Sequence, residues 1–279
     1  NPDYIAVYRR RMDMLTRMRS SEITRLGALE YYRTHPVEFI NHWCDTVDPR
    51  NAGTDKPANM PLILFPRQVD LVRFFEDLRA NQANGLVEKS RDMGATWVAC
   101  GYSVWLWIFY PDASIGWGSR KQEFVDKIGS MDSIFEKLRS IIRGLPREFW
   151  PKGFRPDIHF KMMHITNPEN GASISGQIGD DIGRGGRKLC YFVDESAHLA
   201  RPDLIEASLS LNTRIRIEIS SVNGSGNVFH RKRQKGRVWY KGGEIAKNRA
   251  NVFIMDWAEN PMHTQEWYDN MRDEKESQG

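Results

Sequence analysis

The sequence predicts an α/β fold built on a mainly parallel β-sheet, with a helical addition at the amino terminus. Short apolar segments alternate with segments of helical periodicity from about residue 85 onward, and this alternation favours strands joined by crossover helices. Polar and acidic side chains follow several apolar segments directly, as they do where strands end at a ligand-binding edge. The predicted strands are residues 85–87, 114–117, 173–175, 189–193 and 215–220.

The composition is typical of one large soluble domain with an appendage. Of the 279 residues, 40% are hydrophobic and 27% are charged, and the formal charge is +4. That charge is too small to indicate a nucleic-acid partner by itself. The three cysteines lie far apart, with neither metal-ligand spacing nor a disulfide framework, so we expect a reducing, intracellular environment.

One uncharged segment is long enough to raise the question of a membrane span. Residues 95–111 read ATWVACGYSVWLWIFYP, which is shorter than the roughly 20 apolar residues that cross a bilayer. The segment also begins inside a turn with the character of a phosphate loop. We therefore predict a buried helix.

Helical patterns occur at both ends of the chain and between the strands. Residues 4–33 are basic and predict solvated helices or a partner-binding arm. The clearest helix is predicted at 121–143, with apolar side chains at Phe124, Ile128, Met131, Phe135 and Leu138. A further helix is expected at 202–209, a last strand at 252–257, and a polar amphipathic helix at 262–276.

The segment LVEKSRDMGATW, residues 86–97, has the order of a phosphate-binding loop. A short strand leads through a turn with Gly94 to Thr96 and then to the uncharged helix. Backbone N–H groups at a helix start attract phosphate, and a hydroxyl can bind Mg²⁺. The usual pattern GxxxxGK[ST] is broken, because Ala95 replaces its lysine and Lys89 its first glycine.

An acidic pair ends the apolar strand KLCYFVDESAHL. A carboxylate at Asp194, beside a phosphate loop, can hold Mg²⁺, and Glu195 can orient the water that attacks a γ-phosphate. An exposed turn would explain such a pair equally well, but burying charge without a use is costly. The two segments together favour an ATPase.

Polar side chains also follow the strand in IEISSVNGSGNVFHRKR. Ser220, Ser221 and Asn223 stand where they can respond to the γ-phosphate, although a simple Asn-Gly turn is the alternative. The basic run HRKRQKGR, from His230 to Arg237, is either a solvated face or a set of contacts to a DNA backbone. For the second case we expect alanine at residues 231–233 to weaken DNA binding and spare hydrolysis.

In this order, the motifs resemble those of the large terminase subunits of tailed bacteriophages, which pump DNA into empty capsids. KSRDMGAT is similar to the family's deviant phosphate loop, FVDESA to its second ATPase motif, and SSVNG to its coupling motif. The resemblance implies a RecA-like P-loop NTPase fold that hydrolyses ATP with Mg²⁺. It implies phosphate binding by Lys89 and Arg91, metal binding by Thr96 and Asp194, and water activation by Glu195. The implied nucleotide-binding loop comprises Lys89, Ser90, Arg91, Asp92, Met93, Gly94, Ala95 and Thr96.

The resemblance carries further expectations. FPRQVDLV is similar to the family's adenine-recognition segment, which makes Gln68 the base-contacting amide. In DDIGRGGRK, Arg184 first and Arg187 second are expected to reach a neighbouring subunit's nucleotide, and Arg120 is a third candidate. The implied partners are double-stranded DNA, the portal protein, the small terminase subunit and further copies in a ring, although the isolated chain could be monomeric. The implied location is the host cytoplasm, with no membrane.

We divide the chain into a helical region at 1–60, an ATPase domain at 61–250 and a linker at 251–279. Only about 56 residues follow Asn223, so we expect no nuclease domain and no DNA cleavage. Two alternatives stay open. A helicase would also have the acidic pair but would need a second RecA-like domain, and a binding module with an inactive phosphate loop would explain Ala95.

Overall fold

The computed structural model describes residues 2–278, with side chains through residue 274. The strands are β1 (Asp45–Val47), β2 (Asn59–Pro61), β3 (Gly85–Lys89), β4 (Ser114–Ser119), β5 (Phe160–Lys161), β6 (His164–Thr166), β7 (Ser173–Ile178), β8 (Cys190–Asp194), β9 (Arg216–Ser220), β10 (Arg237–Val238) and β11 (Asn251–Met255). The helices are α1 (Tyr4–Ser20), α2 (Glu22–Thr34), α3 (Pro36–Trp43), α4 (Pro66–Asn81), α5 (Ala95–Phe109), α6 (Gln122–Val125), α7 (Ile134–Gly144), α8 (Pro156–His159), α9 (Pro202–Asn212), α10 (Val228–Lys235) and α11 (Gln265–Gln278).

A nine-stranded sheet in the order β10-β11-β3-β9-β8-β4-β7-β6-β5 organises the molecule. The strands from β10 to β7 are parallel, and β6 and β5 add an antiparallel hairpin at one side. The mainly parallel sheet predicted from the sequence is confirmed. Because the carboxyl ends of parallel strands meet at one edge, the segments after β3, β9 and β8 converge there.

Helix α5 is the buried centre of the fold. It carries no charged side chain, and Tyr102, Trp105 and Trp107 are at most 1% exposed. The helix packs between the sheet and α3, α4 and α7. The prediction of a buried helix is confirmed. Among the described residues, no helix has the length and apolar character needed to cross a membrane.

The amino-terminal helices join the same core. Met18, Tyr32, Phe39 and Trp43 belong to the main hydrophobic cluster, and Trp105 Nε1 donates to the Tyr32 carbonyl at 2.8 Å. The predicted helical addition is therefore present up to residue 43. The remainder of the predicted region adds a two-stranded ribbon, β1 with β2, that the sequence did not indicate.

The predicted helix at 121–143 was wrong as one element. The chain forms the short α6, then an irregular segment at 126–133, then α7. Ile128, assigned to the buried stripe, is 71% exposed, whereas Phe135 and Leu138 are buried as expected. The cause is a buried ion pair between Asp126 and Arg139, which holds the irregular segment in place.

The boundary placed at residue 251 falls at the start of a strand of the main sheet. Strand β11 lies inside the sheet between β10 and β3, in register from Asn251 opposite Gly85 to Met255 opposite Lys89. The apolar strand residues Val252 and Phe253 are fully buried. The core sheet therefore extends to residue 255.

All three cysteines are buried and free. Burial raises the pKa of each thiol, for Cys190 to about 12. A thiol with a raised pKa is poorly ionised and unreactive. These positions therefore act as small apolar side chains.

Candidate nucleotide-binding site

The turn between β3 and α5 has the geometry of an anion-binding loop. Asp92 and Gly94 adopt φ values of 57° and 65°, and at Gly94 this left-handed conformation is the one that glycine adopts without strain. In the described chain, no N–H group of residues 91–96 donates to a protein atom. These free N–H groups stand at the amino terminus of a 15-residue helix, where partial positive charge favours phosphate.

Lys89, the last residue of β3, reaches across the site to the acidic turn after β8. Its Nζ lies 3.3 Å from Glu195 Oε1, and its side chain is 13% exposed. Ala95, where the usual loop has its lysine, is 1% exposed and belongs to the core. A lysine at position 95 would therefore have to enter the core, whereas Lys89 delivers the ammonium group from the strand.

Thr96 and Asp194 form a pair of oxygen ligands beside the loop. Thr96 Oγ1 donates toward the Asp194 carboxylate, at 3.2 Å from Oδ1 and 3.3 Å from Oδ2. Burial raises the pKa of Asp194 to about 6, although Lys89 and the Thr96 hydrogen bond pull that pKa down.

The pair Thr96 and Asp194 fits Mg²⁺, which takes oxygen ligands and uses only one or two carboxylates at nucleotide sites. Among the described side chains, no group of three or more His, Cys, Asp or Glu could hold a metal. A cation at this pair would therefore complete its coordination with phosphate oxygens and water.

The acidic turn is held by the residues predicted to couple hydrolysis to movement. Glu195 has a φ of 53°, a strained conformation for a residue other than glycine. Ser220 Oγ lies 3.4 Å from Glu195 Oε2 and accepts from Ala197 N at 3.2 Å. Asn223 Nδ2 donates to the Ala197 carbonyl at 3.0 Å. Ser220 and Asn223 therefore contact the acidic turn directly.

Two side-chain amides brace the loop from behind. Gln68 is 5% exposed, its Oε1 accepts from Phe65 N at 3.3 Å, and its Nε2 donates to the Met93 carbonyl at 3.0 Å. Asn260 Nδ2 donates to the Asp92 carbonyl at 3.1 Å. The contact by Asn260 was not predicted, because 168 residues separate the partners. The adenine-binding role of Gln68 stays a prediction.

The similarity of this chain to known proteins lies in its three-dimensional structure. No protein-family model and no curated protein matches the chain. The large terminase from a thermophilic bacteriophage, in complex with ADP, matches with a TM-score of 0.53 and 12% identity, over 75% of this chain and 49% of that chain. The same terminase in complex with ATP-γ-S gives 0.52 and 12%, over 75% and 48%. The chain has the RecA-like fold of a phage large terminase. It spans about half the length of these structures.

Within this terminase fold, the candidate finger arginines lie away from the chain's own site. Arg187 precedes β8, whose other end carries Asp194, so it stands at the opposite edge of the sheet, roughly 15–20 Å away along the strand. Arg184 lies in the loop that Asn212, at the end of α9, contacts, and its nearest carboxylate is Asp181 at 3.8 Å. Both arginines are exposed. Their action on a neighbouring subunit stays a prediction.

Arg120, the third candidate, follows β4 at the same edge as the acidic turn. Its guanidinium lies over the Phe124 ring at 4.9 Å, and the side chain is exposed. Of the three candidates it is therefore the one that follows a strand directly at the site's edge of the sheet, and that strand, β4, is next to β8.

An open cleft of about 530 Å³ extends from the loop of this terminase fold to the carboxyl-terminal helix. At one end it is lined by Lys89, Ser90 and Arg91, and Ser221 stands at its side. Arg91 is exposed and has no ion pair within residues 2–278. The rest of the wall follows β11 and includes Asp256, Trp257, Trp267, Tyr268, Met271 and Arg272. The sequence motifs assigned no role to these residues.

The basic run after β9 is largely engaged in ion pairs. Lys232 Nζ lies 2.6 Å from Glu218 and Arg233 Nε lies 3.1 Å from Glu88. These pairs tie α10 to β9 and β3, so Lys232 and Arg233 are structural. The expectation that alanine at 231–233 would spare hydrolysis does not fit this packing, because Glu88 adjoins Lys89.

Proposed function

We propose that this chain is the ATP-hydrolysing motor domain of a phage DNA-packaging terminase large subunit. The observation that carries the proposal is the meeting of Lys89, Thr96, Asp194 and Glu195 at one edge of a parallel sheet, above a loop of unpaired N–H groups. Phosphoryl transfer needs such positioned donors, a metal site and an oriented water. The RecA-like fold, shared with a terminase solved with ADP and with ATP-γ-S, supports it.

In this function Lys89, Arg91 and the free N–H groups bind the phosphates. Thr96 and Asp194 hold Mg²⁺, which when bound neutralises phosphate charge. Glu195 orients the attacking water and accepts its proton. Phosphate binding, Mg²⁺ binding and water orientation are thus assigned to different residues.

The phosphate loop is proposed to support hydrolysis, in spite of Ala95. The alternative of a binding module was motivated by Ala95, but Lys89 supplies an ammonium group 3.3 Å from the acidic turn. A module that had lost hydrolysis would have no use for a buried carboxylate beside Thr96 and a strained Glu195. Both features are costly unless they serve chemistry.

Ser220, Ser221 and Asn223 would transmit the state of the nucleotide. Ser220 and Asn223 contact the acidic turn, and the chain leads from them directly into α10. A shift of Glu195 on hydrolysis would therefore move the start of α10. The ion pair between Lys232 and Glu218 would transmit that movement from α10 to β9.

The DNA substrate is proposed from the resemblance and from a basic cleft on the opposite edge of the sheet. Six cations line this cleft against two carboxylates: Arg216, Arg231, Lys232, Lys235, Lys247 and Arg249 against Asp203 and Glu206. Lys235, Lys247 and Arg249 are exposed and have no ion pair in the described part of the chain. Free cations of this kind are what a phosphate backbone binds.

Assembly is proposed on the resemblance alone. A ring of this chain at the portal of the procapsid, in the host cytoplasm, would bring Arg184 or Arg187 to the next subunit's nucleotide. The portal protein and the small terminase subunit would be its other partners.

Steady-state ATP hydrolysis with Mg²⁺ tests the proposal. We expect the parent to turn over, and Lys89→Ala and Glu195→Gln to lose at least about tenfold, or about 1.4 kcal/mol of transition-state stabilisation. Glu195→Gln should still bind ATP, because its carboxylate acts on water. Lys241→Ala, which removes an exposed lysine elsewhere, is the matched control and should hydrolyse ATP at the parent rate.

The assay is repeated at high protein concentration with double-stranded DNA, to allow for an arginine supplied by a second copy. Absence of turnover under every one of these conditions would contradict the proposed function. Directional unwinding of a forked duplex would instead favour the helicase alternative.

A further inference from the structure

We propose that the aromatic side chains of Trp257 and Tyr268 bind the base of the nucleotide. The inference rests on the proposed function and identifies the part of the site that recognises ATP beyond its phosphates. It assigns a binding role to the segment after β11, which the sequence predicted to be a linker.

The phosphate loop and the two aromatic side chains line one continuous cleft. The cleft of about 530 Å³ begins at Lys89, Ser90 and Arg91 and continues along the end of β11 to Trp257 and Tyr268. Ribose and base are covalently joined to the phosphates, so they must occupy space that adjoins the phosphate loop. The volume lies within the roughly 300–1,000 Å³ typical of small-molecule sites.

The aromatic rings after β11 form a stacked cluster. Trp257 and Tyr268 stack with centroids 4.5 Å apart and planes at 17°. Trp267 lies 6.3 Å from Trp257 and stacks in turn on His263 at 3.6 Å. The rings are therefore held in place before a ligand arrives. Flat aromatic faces at the side of a nucleotide site stack on bases.

The aromatic wall, formed by Trp257, Trp267 and Tyr268, lies outside the main hydrophobic core. Helix α11 is polar, and Tyr268 is 36% exposed. The main core does not include Trp257, Trp267 or Tyr268. These rings line the cleft beside the phosphate loop and do not enter the main core. They are therefore available to contact a ligand.

The aromatic wall also changes the expected role of Gln68. Among the described residues, the lining of the cleft does not include Gln68, whose amide is bonded to the main chain of Phe65 and Met93. Gln68 is then a positioning residue that fixes the loop. Recognition of the base falls to the rings on the other side.

The test compares ligands with and without a base. Binding of ATP and of inorganic tripolyphosphate, each with Mg²⁺, is measured by calorimetry for the parent, Trp257→Ala, Tyr268→Ala and Trp257→Phe. We expect Trp257→Ala to raise the Kd for ATP at least about tenfold, as loss of base stacking does, and to leave the Kd for tripolyphosphate within about twofold. Trp257→Phe keeps an aromatic face and should retain most of the affinity for ATP.

Unchanged ATP binding in both alanine variants would overturn the inference while leaving the proposed function intact. Equal loss of ATP and tripolyphosphate binding would also overturn it, because the ring would then support the loop and not the base. Lys89→Ala should weaken both ligands in the same experiment. A parent chain that binds neither ligand would contradict the proposed function itself.

Discussion

At the scale of one residue, the buried carboxylate of Asp194 lowers the stability of the folded protein. Its carboxylate is next to one lysine and one hydroxyl, and burial still raises its pKa to about 6. In the unfolded chain an aspartate titrates at about 3.9. Between these two values, ionisation is easier in the unfolded chain than in the folded one, so the charged form destabilises the fold.

The sign of this linkage gives a prediction for Asp194→Asn in EDTA. The parent should lose stability as the pH rises from about 4 to about 6 and then level off, because its folded-state pKa is raised. Asparagine cannot ionise, so at pH 8 the variant should be more stable than the parent, by about 2–3 kcal/mol. Urea unfolding at about pH 8 and about pH 4.5 measures the difference. A variant that is less stable at both pH values would contradict the assigned cost.

The convergence of Lys89, Asp194 and Glu195 at one edge of the sheet could be predicted, and the residues that support them there could not. Lys89, Asp194 and Glu195 each end or follow a strand, and parallel strands bring such positions together whatever the loops do. Asn260 and Trp257 reach the site only because β11 enters the sheet beside β3. Nothing local in the sequence marks that pairing, because the two strands lie far apart along the chain.

Among the elements, the interrupted helix between β4 and α7 is the clearest case of tertiary structure overriding a local pattern. Arg139 places its guanidinium on Asp126 at 2.7 and 2.6 Å, and Glu136 lies at 3.2 Å. The Asp126 side chain also accepts from Met163 N at 2.6 Å. A continuous helix could not deliver Asp126 to this position. The turn-forming letters DKIGSMDS at 126–133 were the available signal.

Arg139→Leu should destabilise the protein by about 3–5 kcal/mol, because it leaves a buried carboxylate without its partner. The side chains of Arg139 and Asp126 are 4% and 0% exposed. Arg143→Leu is the control: its side chain is 49% exposed and pairs with Glu136, so the cost should stay below about 1 kcal/mol.

Urea unfolding of both variants measures this difference. Adding Asp126→Leu to Arg139→Leu should restore part of the loss, since it removes the stranded charge. Equal costs for Arg139→Leu and Arg143→Leu would show that the buried pair is not the anchor of the segment.

For the whole molecule, the sheet separates two edges of different chemistry. The residues of the proposed nucleotide site lie at or after the carboxyl ends of β3, β8 and β9. The basic cleft lies at the amino ends of the strands, near Arg216 and Ala250. Strand β9 spans the sheet from one edge to the other, from Arg216 to Ser220. An effect of hydrolysis on a partner at the basic edge could pass through this strand or through α10.

The free cations of the basic cleft give a prediction about DNA. Alanine at Lys235, Lys247 and Arg249 together should weaken binding to double-stranded DNA and reduce the slope of log K against log salt by up to about 3, since each phosphate contact contributes about 0.9. Hydrolysis without DNA should not change. Lys121→Ala, an exposed lysine elsewhere, should leave the slope as it is. An unaltered slope in the triple variant would exclude this surface.

The contact between Lys89 and Glu195 has a consequence for the resting protein. Without nucleotide, the two groups to which we assign phosphate binding and water orientation neutralise each other across 3.3 Å. A γ-phosphate that binds Lys89 would at the same time release Glu195 from this contact. Under the proposed function the pair would act as an interlock: the binding of ATP itself would free Glu195, and a copy without ATP would stay inactive.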